Sequence, residues 1–178
     1  MNLSANHFEL FGLPVRFALD RAALDRAFRS VQAEVHPDRF AHAGETEQRL
    51  AMQRATRVNE AYQALKAPLK RARYLLELSG VDVAVETNTA MPVDFLVEQM
   101  EWREAADEAR RAGDLHELEQ LHARLRGQLE ERYAALGRLL DADLHRNAAS
   151  AADEVRKLMF LEKLQQDIDE AIVALEDA

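Results

Sequence analysis

Histidine, proline and aspartate stand side by side at positions 36–38, within VHPDRF, directly after a run of apolar residues at helical spacing. An imidazole and a carboxylate flanking a proline could move a proton, ligate a metal, or present charged groups to another molecule. A metal site needs further convergent ligands, and here only His42 follows, six residues beyond His36. Acid–base work needs a nucleophile, a phosphate cradle or a second carboxylate nearby, and the surrounding sequence has none. His116 and His122 bracket HELEQLH, which lacks the HExxH spacing of a helical zinc site. His7, His122 and His145 read as residues of solvated faces. A plain turn also accounts for the tripeptide, since proline and aspartate are common turn formers. Residue types alone leave a turn and a recognition loop both open.

Composition sets the frame around that loop. The chain has 178 residues, six glycines, four prolines and no cysteine, and 48% of it is apolar. Alanine, leucine, glutamate and arginine dominate, a balance that favours an all-α protein. Without cysteine there is no disulfide or thiolate-ligated metal, and no metal or cofactor is expected. No basic-then-apolar leader opens the sequence and no run approaches eighteen apolar residues, so neither a membrane nor an exported location is expected. The expectation is a cytoplasmic protein.

Charge separates the chain into two parts. Residues 1–79 carry twelve Lys/Arg against nine Asp/Glu, and the remainder carries eleven against twenty-three, together giving the net charge of −9. A mildly basic part joined to a strongly acidic one points to two modules with different partners. Neither part has the dense basic face that nucleic acid requires.

Hydrophobic periodicity supplies the elements that must position the tripeptide. Phe8, Leu10, Phe11 and Leu13 form a short apolar opening closed by Pro14. Asp20 is placed to cap a helix bearing Leu24, Ala27, Phe28, Val31 and Val35. Proline disfavours helical geometry in the residue before it, so His36-Pro37 ends that helix. A polar loop containing Gly44 leads to a second helix with Ala51, Ala55, Val58, Tyr62 and Leu65. Pro68 suits the first turn of a third, and Gly80 its C-terminal cap. From Val81 to Pro92 the pattern lapses, giving a linker over 80–92. Three long helical segments follow: about Val93 to Arg111; the stripe Leu115, Leu118, Leu121, Leu125, Leu129, Tyr133 and Leu136; and about Ala151 to Glu176. Such a stripe could serve a coiled-coil dimer, but short connections favour closure within one chain as an antiparallel three-helix bundle, with at most weak self-association.

A helix, His-Pro-Asp, a polar loop and a second helix carrying VNEAYQAL (Val58–Leu65) resemble a J-domain, the ATPase-stimulating module of DnaJ-type co-chaperones. KRARYL at Lys70–Leu75 fits the end of that module, and the resemblance spans roughly residues 6–79. It implies that His36, Pro37 and Asp38 dock on a DnaK-type chaperone, with Arg26, Arg29 and Arg39 meeting its acidic surface. Ser30 and Glu34 stand where DnaJ itself is basic, which hints at a specialised partner.

The second part lacks the glycine-rich, zinc-binding and β-rich regions of a general DnaJ. FLVEQMEWREAADEA (Phe95–Ala109) and AADEVRKLMFLEKL (Ala151–Leu164) are similar to the HscB family, co-chaperones of iron–sulfur cluster assembly. That resemblance covers nearly the whole chain and implies two partners, the scaffold IscU for the bundle and the chaperone HscA for the J-domain. The expected architecture is therefore an N-terminal helical-hairpin J-domain over 1–79, followed by a three-helix bundle over 93–178.

A helical wheel adds a candidate interface. Phe95, Gln99, Trp102, Ala106 and Ala109 share a narrow sector that reads as the core face. Leu96, Val97 and Met100 point away from it, with Glu101, Glu104 and Glu108 beside them, and Phe160 on the third bundle helix could complete an apolar patch. By the resemblance, these positions match the IscU-binding surface. Two rivals come from other classes: a small helical enzyme using His36 and Asp38, and a J-like adaptor for an unrelated protein.

Overall fold

The computed structural model describes residues 5–81, 83 and 91–177, so most of the proposed 80–92 linker lies outside the described residues. Every regular element among them is helical, and the chain divides into two compact units, Met1–Ser79 and Gly80–Ala178. The all-α class is as the sequence predicts.

The first unit is built on a helical hairpin. Helix α1 (His7–Leu10) precedes α2 (Arg21–Val35), α3 (Glu45–Lys66) and α4 (Pro68–Leu78), with a 3₁₀ turn over Pro37–Phe40. Asp20 caps α2, its carboxylate accepting from the Ala22 amide at 2.9 Å. Pro68 occupies the first turn of α4, where its missing N–H costs nothing, and Gly80 beyond the helix end has φ +79°, a value that glycine alone adopts without strain. Helices α2 and α3 run antiparallel. Arg21 reaches the Lys66 carbonyl near one end, Tyr62 donates to Asp25 at 3.0 Å, and Gln48 reaches the Ala41 carbonyl at the other. Leu24, Val58, Ala61 and Leu65 close the core between them, with Phe8 and Leu76 also fully buried.

The short apolar opening is a helical turn, which its sequence pattern does not reveal. The Asn6 side chain accepts from Glu9 N while Glu9 accepts from Asn6 N, a capping box that lets four residues hold helical geometry. This turn carries His7 inward, correcting the expectation of a solvated residue. The His7 ring stacks on Tyr74 with centroids 4.0 Å apart, and its backbone N–H donates to the Tyr74 hydroxyl at 2.9 Å.

The second unit consists of α5 (Val93–Ala112), α6 (Leu115–Ala142) and α7 (Leu144–Glu176). Pairings between α6 and α7 move in opposite directions along the two helices: Leu139 with Asn147, Arg132 with Glu154, His122 with Asp169. Glu98 with Gln128 and Trp102 with Arg124 show the same sense for α5 and α6. Both turns are therefore antiparallel, as expected. Gly113, at φ +66°, ends α5 in the left-handed region, and Asp114 immediately caps α6 by accepting from Glu117 N at 3.0 Å. The leucine stripe of α6 and Val155, Leu158, Leu161, Leu164 and Ile168 of α7 form the core.

Two expectations for this unit need correction. Helix α7 begins at Leu144, seven residues before the predicted start, because Asp143 caps it and Ala148, Ala151 and Ala152 bury small methyl faces against its neighbours. His122 is half-buried rather than solvated, with Nε2 3.0 Å from Asp169.

The packing of His7 has a consequence for pH. Burial, and then the nearby Arg57 cation, lower its pKa below the ordinary value of about 6.5. The stability of the neutral stacked ring is thus complete above that value and is lost as pH falls through the lower folded-state value. Thermal melts at pH 7 and pH 5 should show a smaller acid-induced drop for His7→Phe, which keeps the stack without a titrating nitrogen, than for the wild type. Equal drops would refute this role.

Candidate functional site

The His-Pro-Asp loop follows directly from where α2 stops. His36 takes φ −58° and ψ 129°, the extended geometry imposed by the following proline, and Pro37 then opens the 3₁₀ turn. The His36 Nδ1 accepts from the Asp38 amide at 3.3 Å. The same nitrogen lies 3.5 Å from Asp38 Oδ2, a contact that becomes an ion pair only on the protonated ring. Both side chains face solvent, at 50% and 91% exposure.

Two flanking residues stiffen this presentation. Arg39 folds back and donates to the Ala33 and Glu34 carbonyls at 3.1 and 3.4 Å, capping the C-terminal end of α2 where a cation is favoured. Gln48 of α3 donates to the Ala41 and Ala43 carbonyls at 3.1 and 3.0 Å and holds the far end of the loop.

The predicted basic residues extend the site along α2. Arg26, Arg29 and Ala33 recur at three and four residues, so they share one helix edge that leads to the guanidinium of Arg39. Arg26 and Arg29 are exposed, and Arg26 approaches Asp20 at 3.8 Å. On a neighbouring edge, Asp25 is held below the usual carboxylate range by the hydrogen bond from Arg21, then by that from Tyr62, with Arg29 adding its charge. The arrangement exposes the Asp38 carboxylate, an imidazole and a row of guanidiniums on one surface. Among the described residues no group of three His, Asp or Glu side chains gathers as metal ligands.

In the second unit the wheel places both faces of α5. Phe95, Gln99 and Ala109 are buried, and Trp102 and Ala106 are half-buried. Leu96, Val97 and Met100 stand 42%, 48% and 70% exposed, and Glu101, Glu104 and Glu108 are exposed beside them. Phe160 of α7 is exposed too, and its ring meets Phe95 edge-on at 6.5 Å. The sequence reading missed Val93, also exposed at the start of α5. Its signal was available: Val93, Leu96, Val97 and Met100 follow the i, i+3, i+4, i+7 pattern of one helical stripe.

Known proteins resemble this chain at the level of family, sequence and structure. A family model described as the HscB C-terminal oligomerisation domain matches residues 91–169. The chain is 55% identical over 177 residues to a co-chaperone protein HscB homolog of Azoarcus sp. (strain BH72), covering 99% of each. A second such homolog, from Ralstonia nicotianae, is 56% identical over 174 residues, covering 98% of each. Among solved structures, the chaperone HscB from Vibrio cholerae matches with a TM-score of 0.85 and 37% identity, over 96% of this chain and 99% of that one. The human co-chaperone protein HscB matches with a TM-score of 0.87 and 25% identity, over 95% and 83%.

An apolar stripe facing solvent contributes little to the fold, and this separates it from the core. Leu96→Ala and Met100→Ala should each change unfolding free energy by about 0.5 kcal/mol or less. Leu125→Ala, in the fully buried stripe of α6, should cost about 2–5 kcal/mol. Denaturant titrations of the three variants check this, and a core-sized loss for Leu96 or Met100 would mean that α5 is packed the other way round.

Proposed function

The chain belongs to the HscB co-chaperone family, and we propose that it acts in iron–sulfur cluster biogenesis as a two-handed adaptor. Its bundle binds an IscU-type scaffold, and its J-domain delivers that scaffold to the specialised DnaK-type chaperone HscA and stimulates the ATPase of HscA. On this reading the chain catalyses no reaction, carries no cofactor and works in the cytoplasm as a monomer or weakly self-associating species. It engages neither nucleic acid nor membrane.

The observation that carries this reading is the apolar stripe of α5 with its glutamate border, which the bundle does not need for its own core. An exposed apolar centre with a charged rim has the anatomy of a protein interface. Leu96, Val97, Met100 and Phe160 would lose water against the scaffold, while Glu101, Glu104 and Glu108 steer the encounter from the rim. The loop of the first unit supports the other half. Asp38 offers its carboxylate to an arginine of the chaperone, a pairing selective in geometry, and Arg26, Arg29 and Arg39 supply cations for an acidic ATPase surface. Phosphoryl transfer then takes place wholly within the chaperone.

Loop residues that bury almost nothing can be changed without unfolding the unit. His36→Gln or Asp38→Asn should leave the thermal melt nearly unchanged and abolish stimulation of HscA in a steady-state ATPase assay. Full stimulation by a folded His36→Gln protein would sink the J-domain role.

The two parts of the bundle surface should respond differently. Replacing Leu96, Met100 and Phe160 together with alanine should weaken scaffold binding strongly, since interface anchors are each worth about 1–3 kcal/mol. Replacing Glu101, Glu104 and Glu108 with glutamine should mainly slow association and flatten its dependence on ionic strength. Surface plasmon resonance at several salt concentrations separates the two. Wild-type scaffold affinity in the apolar triple variant would rule this face out.

A further inference from the structure

Arg132 of α6 lies outside the apolar patch, at a junction of all three bundle helices. Its guanidinium donates to Glu154 Oε1 of α7 at 2.8 Å, with the two side chains only 24% and 17% exposed. The same guanidinium carbon is 5.8 Å from the centroid of the Phe95 ring of α5, and Lys157 Nζ is 6.0 Å from it. Cations at that range are attracted by the negative face of an aromatic ring, and more strongly where water is scarce. Phe95 is 5% exposed, so its ring turns only as far as these neighbours allow.

Among the described residues, the aromatic neighbour of Phe95 is Phe160, set edge-on with an interplanar angle of 75°. Edge-to-face pairs are directional, so the plane of the buried ring decides where the exposed ring can pack. Glu154, Lys157 and Phe160 also recur at three-residue intervals on α7, so one edge of that helix carries the Arg132 partner, a second cation and the exposed aromatic. A partly buried ion pair is a weak source of net stability, but it fixes geometry well when each charge has its partner.

Building on the scaffold-binding reading above, we infer that Arg132 is a positioning residue for scaffold recognition: held by Glu154, it orients Phe95, and Phe95 presents Phe160 at the surface. The chemistry suits arginine. Its planar, delocalised cation can donate to a carboxylate and lie against a ring at once, whereas lysine offers a compact point charge.

A double-mutant cycle on the full-length protein tests this, with affinity for an IscU-type scaffold measured by titration calorimetry and a melt recorded for every variant. Arg132→Met should weaken binding about tenfold in the wild-type background, a coupling within the range for contacting residues. In the Phe160→Ala background the same substitution should cost about twofold or less, because the ring it positions is gone. Arg132→Lys, which keeps a cation near Phe95 but loses the planar fork, should recover only part of the loss. If Arg132→Met does not fold, Glu154→Gln releases the guanidinium from its carboxylate and completes the same cycle. An equal loss in both backgrounds, no loss in the wild-type background, or no recovery by lysine would overturn the positioning role. Wild-type affinity in Phe160→Ala alone would also overturn it. The scaffold-face reading itself falls only if the Leu96, Met100 and Phe160 triple variant binds normally.

Discussion

A helix in a small bundle ordinarily buries one apolar stripe and gives its remaining surface to water, and the arrangement of this protein turns on α5 carrying two. Its inner stripe, Phe95 to Ala109, faces α6 and α7. Its outer stripe lies roughly 150° around the helix, at 3.6 residues per turn, and stands exposed among the described residues. Solvating Val93, Leu96, Val97 and Met100 is unfavourable at about 25 cal/mol per Å² of apolar surface. That cost is tolerable because the long leucine seam of α6 and α7 supplies a core that does not depend on the outer stripe. The bundle can thus keep an apolar surface ready for a partner without collapsing onto it.

The loop of the first unit rests on a different constraint. Pro37 fixes the end of α2 through backbone sterics alone, and the Arg39 and Gln48 side chains then tie down carbonyls that the helix end and the turn leave open. Arg39 therefore has a local task as well as its proposed one. A substitution there removes a cation from the row proposed to face the chaperone and also loosens the turn bearing His36 and Asp38. Arg26 approaches Asp20 at 3.8 Å and Arg29 acts on Asp25 through its charge, so substitutions there bear on α2 and leave the turn itself in place.

What the sequence reveals and what it hides divide along physical lines. Side chains with a strong apolar signal at regular spacing were legible: the α6 stripe, both faces of α5, and the proline that ends α2. Helix α1 was not, because four residues hold no period and a reciprocal cap stabilises them instead. The first turns of α7 were also missed, since Ala148, Ala151 and Ala152 pack closely yet carry little hydrophobic weight. His7 and His122 were misplaced for a related reason. Histidine has no consistent burial preference, and only the fold reveals that one meets Tyr74 and the other Asp169.

The Arg132–Glu154 pair belongs to a class that single-sequence reading does not reach. The pair depends on the register of α6 against α7, and the contact with Phe95 on the rotation of α5 as well; neither is encoded in local spacing. This sets an order among the proposed functional residues by how far each is entangled with the fold. His36 and Asp38 are nearly free of it, and Leu96 and Met100 largely so. Phe160 is exposed but leans on a buried ring, and Arg132 acts only through that ring. Perturbations should therefore grow harder to interpret in the same order. For the innermost residue, a change in affinity acquires meaning only when it is measured with and without Phe160, the group through which it is transmitted.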